Sequence, residues 1–343
     1  MKIALIGCGR ISKNHFESIK HFPTQLELVG VCDILEERAM AAASEYITKP
    51  YTNYEKMLTE TKPDIVSICT PSGLHPEHAI TALNKGMHVI SEKPMGVNLE
   101  MADAMIQAAD DNHVNLFVVK QNRLNTTMQL LKAAIDKGRF GKIYMVQSNV
   151  YWTRPQSYYD MSPWRGTWAL DGGAFLNQAS HYVDALTWLM GDVESVMAEM
   201  RTLERKIEAE DTGTALINFK NGGVGTMSVT MLTYPKNFEG SITVLGAKGT
   251  VKIGGVAINK IEKWDFEDYD DSDRMINSVN YEPVNVYGYG HIPYYENVLK
   301  RMSGDSDAPF TDGRSGRKSL ELVLAMYESS RTGQRVTLPL KKD

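Results

Sequence analysis

The sequence predicts a two-domain α/β protein, in which a parallel sheet is followed by a larger, mostly antiparallel and open sheet. In the first third, short runs rich in Val and Ile alternate with helix-like segments, a pattern typical of right-handed βαβ units. After about residue 123 the strands lengthen and alternate apolar with polar residues, as half-buried antiparallel strands do. The chain has 343 residues, which is more than one ordinary domain contains. We therefore assign residues 1–122 to a first domain and 123–343 to a second, and leave open whether the last helix (315–331) packs on the first domain.

The predicted elements of the first domain are bounded by turn residues and follow each other closely. Its strands are expected at 1–7, 26–33, 64–70, 87–93 and 114–121, and its helices near 13–21, 35–45, 75–85 and 99–112.

The second domain is predicted to begin with a helix and to continue as hairpins. The helix is expected at 125–137, the strands at 142–152, 213–220, 225–232 and 241–247, and a further helix near 176–190. Asn-Gly-Gly at 221–223 and Ala-Lys-Gly at 247–249 are typical hairpin turns. The acidic stretch 264–273 lacks the Gly and Glu of a calcium loop, so we expect a solvated loop there.

Composition and charge exclude several classes of protein. The formal net charge is -5, which gives no basic surface for nucleic acid. No apolar run approaches the ~20 residues that cross a bilayer, and the apolar stretch before Gly7 is too short for a signal peptide. Cys8, Cys32 and Cys69 lie in or beside predicted buried strands. We expect them to be reduced packing residues, as in a cytoplasmic protein.

The stretch GCGRISKNH, from Gly7 to His15, follows the first strand and opens the first helix. This is the context of a dinucleotide-binding turn, in which Gly7 permits the tight turn and Gly9 lets the backbone approach a pyrophosphate. Ser12 stands where a third glycine is common. A plain connection between strand and helix is the alternative.

An acidic residue at the end of the second strand supports cofactor binding independently. Asp33 lies where a carboxylate can accept the ribose hydroxyls of NAD, and Ile34 rather than an arginine follows it. The sequence therefore predicts NAD in preference to NADP.

Two further stretches, CTPSGLHPEHAITALNKGMHVISEKP and WRGTWALDGGAFLNQASHYVDALTWLMG, extend the pattern to most of the chain. Together with the glycine turn they resemble the glucose–fructose oxidoreductase/inositol dehydrogenase family of NAD(P)-dependent sugar dehydrogenases, in which Glu92-Lys93-Pro94 is a specific motif. The resemblance implies a Rossmann domain followed by an α/β domain with a large open sheet. Because the open sheet face would otherwise be exposed, the resemblance also implies a homodimer or a homotetramer, of which we expect the tetramer.

Within this family, the stretches KQNRLN, PWRGTW, DGG and NQASH are most similar to UDP-N-acetylglucosaminuronate 3-dehydrogenases. That similarity implies oxidation of the C3 hydroxyl of a UDP-linked N-acetylated uronic acid. The 3-keto product would then serve the synthesis of diacetamido uronic acids for surface polysaccharide such as O-antigen. Relatives that bind the cofactor tightly suggest 2-oxoglutarate as an acceptor that reoxidises NADH.

Alcohol oxidation needs a group that takes the hydroxyl proton and stabilises the alkoxide. Lys93 follows a strand that ends at the cofactor crevice, and His181 lies in a helical pattern four residues after Asn177. Both are the catalytic residues that the resemblance implies. The alternatives are a surface lysine paired with Glu92 and a buried core histidine.

Position 177 departs from the family pattern, because many members have aspartate where this chain has Asn177. An amide orients an imidazole but does not stabilise imidazolium, which shifts the proton-accepting role toward Lys93. A uronate substrate brings its own carboxylate, so Asn177 or Gln178 is expected to donate to it.

The resemblance implies two sets of binding residues. The cofactor set is Gly7, Gly9, Arg10, Ile11, Asp33, Thr70, Pro71, His75, Glu92, Lys93 and Gln121. The substrate set is Lys93, Asn122, Arg123, Trp164, Arg165, Thr167, Asn177, Gln178 and His181.

Some residues have a structural explanation that the sequence leaves open. Trp164 could be a core residue covered by Arg165, the cluster from His291 to Tyr295 could cap the pocket or pack, and Arg314 and Arg317 could reach the cofactor or mark a helix start. His75 and His78 have metal-like spacing but lack an evident third ligand, so no metal is expected.

Two other functions remain possible from the sequence. One is an NAD(P)-dependent dehydrogenase of inositol or another free sugar. The other is a non-catalytic NAD-binding regulator, which the presence of both Lys93 and His181 disfavours.

Overall fold

A six-stranded parallel sheet organises the first part of the computed structural model, which describes residues 1–276, 278–282, 288 and 290–341. Its strands are β1 (Lys2–Ile6), β2 (Glu27–Cys32), β3 (Pro50–Tyr51), β4 (Ile65–Ile68), β5 (His88–Ser91) and β6 (Leu116–Val118). They lie in the order β3-β2-β1-β4-β5-β6. The order reverses between β1 and β4, and ligands of open α/β sheets bind beside the carboxyl ends of the strands at such a reversal.

Helices connect these strands and cover the sheet. They are α1 (Ser12–His21), α2 (Glu36–Tyr46), α3 (Tyr54–Thr61), α4 (His75–Leu83) and α5 (Leu99–Asp111). The predicted parallel sheet is confirmed. The sequence pattern missed β3 and α3, because a two-residue strand and an eight-residue helix carry little periodic signal.

The chain divides into two units, and the first recruits a distant segment. It comprises Met1–Lys120 and His291–Arg317, whereas Gln121–Gly290 and Lys318–Asp343 form the second. The observed units therefore differ from the predicted division at 122/123, because residues 291–317 belong to the first unit. They do so because this segment contains helix α9 (His291–Met302), whose buried side chains bond to α1 and β4.

The second unit is built on an eight-stranded sheet. Further along the chain lie β7 (Ile143–Tyr151), β8 (Val193–Arg201), β9 (Thr212–Phe219), β10 (Val224–Thr230), β11 (Glu239–Gly246), β12 (Gly249–Gly254), β13 (Lys260–Phe266) and β14 (Val336–Thr337). Their order is β13-β12-β11-β7-β10-β9-β8-β14. Every neighbouring pair is antiparallel except β7 with β10, and both predicted hairpins are confirmed.

The remaining helices are α6 (Thr126–Asp136), α7 (Gln156–Asp160), α8 (Ser180–Met190) and α10 (Gly313–Thr332). The helix predicted near 176–190 is divided, because Ala174–Gln178 forms a π-helical turn and α8 starts only at Ser180. The loop predicted over 264–273 is wrong at its start, since Trp264–Phe266 belong to β13. Among the described helices none is both long and apolar enough to span a lipid bilayer.

The two faces of the second sheet differ in exposure. Val146, Ile217 and Val244 are fully buried on one face. On the other face Met197 pairs with Leu216 and Leu245 pairs with Met145, and all four are 36–46% exposed. This leaves a broad, partly apolar sheet surface uncovered in the single chain.

Candidate active site

The glycine turn after β1 has the geometry of a phosphate cradle. Gly7 has φ +95, and a Cβ there would lie 2.7 Å from the main chain of Cys69, so a side chain cannot be accommodated. A Cβ at Gly9 would meet nothing within 4 Å. The N-cap residue of α1 is Ile11, whose apolar side chain makes no capping hydrogen bond, and the Ser12 hydroxyl donates to the Gly9 carbonyl at 2.6 Å. The open space at Gly9 and the helix N–H groups fit a dinucleotide pyrophosphate.

Asp33, directly after β2, is held in place by the main chain. Its Oδ2 accepts the N–H of Cys8 and its Oδ1 accepts the N–H of Leu35, both at 2.9 Å. Each oxygen keeps a second lone pair for a ribose hydroxyl. Ile34 beside it is exposed, as is Arg10 at the glycine turn, whereas Ile11 is half-buried.

The loop after β4 is fixed by two histidines. His75 places Nε2 2.8 Å from the Thr70 carbonyl and Nδ1 2.7 Å from the Pro94 carbonyl, and burial lowers its pKa. His78 places Nδ1 3.2 Å from the Thr70 hydroxyl, and burial lowers its pKa to about 4. Pro71 starts a short 3-10 turn over Ser72–Leu74. Each nitrogen of His75 thus faces a carbonyl oxygen, and the neutral ring donates to one of them at a time.

Lys93 lies two residues beyond β5 and is half-buried. Its main-chain N–H donates to Glu92 Oε2 at 3.0 Å, and the Lys93–Pro94 peptide bond is cis. The main-chain N–H of Glu92 donates to the Ile68 carbonyl at 3.0 Å. The lysine is therefore placed at the carboxyl edge of the parallel sheet, as expected from its position after a strand.

The carboxylate of Glu92 belongs to a buried network that the sequence did not reveal. Its Oε1 lies 2.9 Å from His15 Nε2 and 3.5 Å from His291 Nε2. His15 Nδ1 lies 2.8 Å from the Tyr295 hydroxyl and 3.0 Å from the Ser67 hydroxyl. Burial opposes ionisation of Glu92, but the hydrogen bond from His15 and the proximity of His291 hold its pKa well below the usual range. Burial by itself would lower the pKa of His15. Its polar neighbours, which include Tyr295 and Glu92, outweigh burial and raise the pKa well above the usual value.

The same network contains the one group of side chains, within the described ranges, that could hold a metal ion. The donor atoms of His15, Glu92 and His291 lie within 4.8 Å of one another. The bond between His15 and Glu92 and the paired Nδ1 of His15 explain the arrangement without a metal. The expected absence of a metal stays a prediction.

In the second unit, His181 is oriented by an amide. Gln121 Nε2 lies 2.9 Å from His181 Nε2, and both residues are buried, as is Asn122. With the amide nitrogen donating, His181 Nε2 accepts and a neutral imidazole carries its proton on Nδ1.

Arg123 is engaged by a carboxylate of its own unit. Its Nε and Nη2 donate to the two oxygens of buried Asp184 at 2.7 and 2.8 Å, and its guanidinium lies 5.5 Å from the centre of the Trp188 ring. This bidentate pair fixes α8 to the segment after residue 120. The sequence placed Arg123 with the substrate and had no signal for this partner.

Asn177 lies in the π-helical turn, so it does not share one α-helix with His181. Its Nδ2 donates to Asp171 Oδ1, and Asp171 Oδ2 accepts the N–H of Gly166 at 2.6 Å. Gln178 is buried, and its Nε2 has no hydrogen-bond partner among the described residues. Two amides thus lie side by side in this turn, and His181 follows in α8.

Arg165 lies between aromatic rings. Its guanidinium carbon lies 4.3 Å from the centre of the Tyr158 ring and 4.7 Å from that of Trp164. Its buried Nε has no partner in the described part of the chain. The Thr167 hydroxyl donates to the Trp164 carbonyl at 2.7 Å and so stabilises the turn. A stacked guanidinium with a free donor suits an anionic ligand.

Beneath the π-helical turn lies Glu210, which the sequence analysis did not identify. Its Oε1 accepts the N–H of Phe175 at 2.8 Å and the hydroxyl of Tyr327 at 3.1 Å. Burial, assisted by nearby Asp171, raises its pKa to about 7.

The residues left open by the sequence have structural partners. Tyr295 is buried in the network around Glu92, and Tyr294 is buried as well. Arg314 donates to Asp110 at 2.7 Å and Arg317 donates to Asp103, so both tie the start of α10 to α5.

Comparison with known proteins adds two family models that together span most of the chain. The model "Oxidoreductase family, NAD-binding Rossmann fold" matches residues 1–120. The model "Oxidoreductase family, C-terminal alpha/beta domain" matches residues 132–338.

Two solved structures are similar over the full length. The WlbA dehydrogenase from Bordetella pertussis, in complex with NADH and UDP-GlcNAcA, is 52% identical with a TM-score of 0.96, covering 99% of this chain and 98% of that chain. The WlbA dehydrogenase from Chromobacterium violaceum, with the same two ligands, is 52% identical with a TM-score of 0.95, covering 100% of this chain and 97% of that one. The myo-inositol 2-dehydrogenase of Thermotoga maritima is 26% identical, over 98% of each chain.

Proposed function

Because the chain belongs to the Gfo/Idh/MocA oxidoreductase family, we propose that it oxidises the C3 hydroxyl of UDP-N-acetylglucosaminuronate to the 3-keto sugar, with NAD as cofactor. The observation that carries this proposal is the 52% identity, over 99% of the chain, with a dehydrogenase crystallised with NADH and UDP-GlcNAcA. The identity with an inositol dehydrogenase is half as high, at 26%.

The cofactor's contribution is to accept the hydride from the carbinol carbon. Gly7 and Gly9 are proposed to bind its pyrophosphate with the N–H groups of α1, and Asp33 is proposed to accept the ribose hydroxyls. The carboxylate of Asp33 would also repel a 2′-phosphate, which supports NAD as the preferred form.

Lys93 is proposed to bind the reacting hydroxyl and to take its proton. The partner at His181 Nε2 is the neutral amide of Gln121, which orients the imidazole but does not stabilise an imidazolium. This supports Lys93 as the proton acceptor and His181 as a hydrogen-bonding residue for the sugar.

The negative charges of the substrate call for donors in the second unit. We assign the sugar carboxylate to the amide of Gln178, whose buried Nε2 is available. Arg165, stacked between two rings, is proposed to bind the diphosphate. Arg123 is proposed to act indirectly, through its pair with Asp184.

A homo-oligomer is proposed to cover the exposed face of the second sheet, and a tetramer is the form we expect. The face presents Met145, Met197, Leu216 and Leu245, at 36–46% exposure. Several exposed apolar side chains on one sheet face are typical of subunit interfaces.

The biological setting follows from the proposed reaction. The product would enter the synthesis of diacetamido uronic acids for O-antigen in the cytoplasm, where three free cysteines remain reduced. Reoxidation of NADH by 2-oxoglutarate in the same site is part of the proposal.

The test uses the purified protein with NAD and UDP-GlcNAcA, with and without 2-oxoglutarate, and detects the 3-keto product and NADH. UDP-N-acetylglucosamine and myo-inositol serve as parallel substrates. Oxidation of the uronate alone is the expected result. Oxidation of inositol instead would overturn the substrate assignment, and turnover that does not depend on 2-oxoglutarate would overturn the proposed recycling.

A further inference from the structure

The main chain around Lys93 is held by buried side chains and not by the sheet. Strand β5 ends at Ser91, so its ladder does not reach Lys93. On one side, Glu92 Oε2 accepts the Lys93 N–H at 3.0 Å. On the other side, the Pro94 carbonyl lies 2.7 Å from Nδ1 of buried His75. The peptide group that precedes Lys93 is therefore fixed directly, and the peptide group that follows Pro94 is held one residue further along the chain.

Glu92 is itself immobilised from two remote segments. His15 of α1 lies 2.9 Å from its Oε1, and His291 of α9 lies at 3.5 Å. Glu92 and His291 are 3–4% exposed, and His15 is fully buried. The buried carboxylate accepts hydrogen bonds from His15 Nε2 and the Lys93 N–H, one on each oxygen, which restricts its orientation, while His291 Nε2 lies nearby at 3.5 Å without a hydrogen bond.

The network continues to neutral hydroxyls that complete its hydrogen bonds. His15 Nδ1 lies 2.8 Å from the Tyr295 hydroxyl, which donates to Ser67 Oγ at 3.4 Å. A protonated His15 can then donate from both nitrogens, and the anionic Glu92 is balanced inside the protein. Burying the ion pair of His15 and Glu92 costs desolvation energy. Because the pair lies next to a reactive lysine, we infer that it serves that lysine.

We propose that Glu92, supported by His15 and His291, is a positioning residue that aims Lys93 at the reacting hydroxyl. The proposal rests on the proposed function, because it takes Lys93 as the proton acceptor. It differs from a cofactor-binding role for the Glu92 side chain, whose carboxylate faces the interior. It also gives residues 291–302 a role in catalysis, although they lie about 200 residues from Lys93 in the sequence.

The experiment is a double-mutant cycle with Glu92→Ala, Lys93→Ala and the double variant, measured as kcat, KM and NADH affinity. A displacement of about 1 Å at a reacting group lowers kcat about 100-fold, which is the effect expected for Glu92→Ala, with little change in NADH affinity. In the Lys93→Ala background the same change should have no further effect, since positioning acts through the lysine. Glu92→Gln, which keeps an acceptor for the Lys93 N–H, should restore most of the activity.

A matched control and a substrate-independent measurement complete the test. Glu100→Ala removes an exposed glutamate of α5 and should leave kcat unchanged. Competitive acetylation of Lys93, read by mass spectrometry, should change in Glu92→Ala and not in Glu100→Ala. If the wild-type enzyme oxidises no nucleotide sugar, the proposed function fails, and the acetylation result alone decides the positioning role.

Three outcomes would overturn the inference. They are additive losses in Glu92→Ala and Lys93→Ala, a loss of NADH affinity as large as the loss of kcat, and one equivalent of zinc in the purified protein that disappears in Glu92→Gln. The zinc result would show that His15, Glu92 and His291 form a metal site.

Discussion

Replacing Glu210 by glutamine should stabilise the protein above neutral pH and leave its stability nearly unchanged in weak acid. The folded carboxyl has a pKa of about 7 because it is buried, whereas its ordinary value is 4.5. Between these two pH values the unfolded chain releases the proton and the folded chain keeps it. The free energy of unfolding therefore falls as the pH rises through this window and levels off above it.

The size of the effect follows from the two pKa values. At 1.36 kcal/mol per pH unit, the difference amounts to roughly 3 kcal/mol at pH 8. The substituted glutamine does not titrate and avoids this loss, while its carbonyl can still accept the N–H of Phe175 and the hydroxyl of Tyr327. In a chain of this size that corresponds to a rise in Tm on the order of 5 °C at pH 8.

Thermal unfolding at pH 5 and pH 8 measures the effect. The decisive quantity is the change in the mutant's Tm advantage between the two pH values, because any altered hydrogen bond affects both equally. Glu204→Gln, an exposed carboxyl in the same loop, should show no such change. An equal Tm difference at pH 5 and pH 8 for Glu210→Gln would refute the argument that this buried carboxyl stays protonated.

Three other substitutions test the cofactor, substrate and subunit assignments. Asp33→Asn should weaken NADH relative to NADPH by about tenfold or more, since it removes the charge that repels a 2′-phosphate; unchanged relative affinities in fluorescence titrations would contradict this. Asn177→Asp, which places a second carboxyl against Asp171, should raise the KM for the uronate more than that for a neutral nucleotide sugar, and equal changes would count against a uronate carboxylate near position 177. Leu216→Asp should reduce the mass measured by sedimentation, whereas Ile47→Asp, also exposed but outside the sheet, should not; an unchanged mass in Leu216→Asp would argue against an interface on this sheet face.

The parts of the fold that could be predicted from the sequence are those with local signals. The turn from β1 to α1 has two glycines between a strand and a helix, and Asp33 ends the next strand. Each feature lies within a few residues of the element that positions it. For the same reason both hairpins of the second sheet were predicted from their turn residues.

The features that could not be predicted from the sequence depend on contacts between distant segments. His291 and Tyr295 bond to the network around His15, 276 and 280 residues earlier, and no periodic pattern indicates such a pair. The bidentate bond from Arg123 to Asp184 spans 61 residues. A single sequence contains the residue types of these networks but does not indicate which side chains bond to each other.

The structure gives a different reason from the sequence for the neutral side chain of Asn177. From the sequence, Asn177 avoids repelling a uronate carboxylate. In the structure its amide donates to Asp171, and the pKa of Glu210 close behind is raised to about 7 because burial opposes a further charge. A carboxylate at position 177 would therefore face an existing one inside the protein, whatever the substrate carries. Asn177 therefore avoids a repulsion between carboxylates within the protein itself. As a consequence, the turn is rich in amides and can accept a negatively charged sugar.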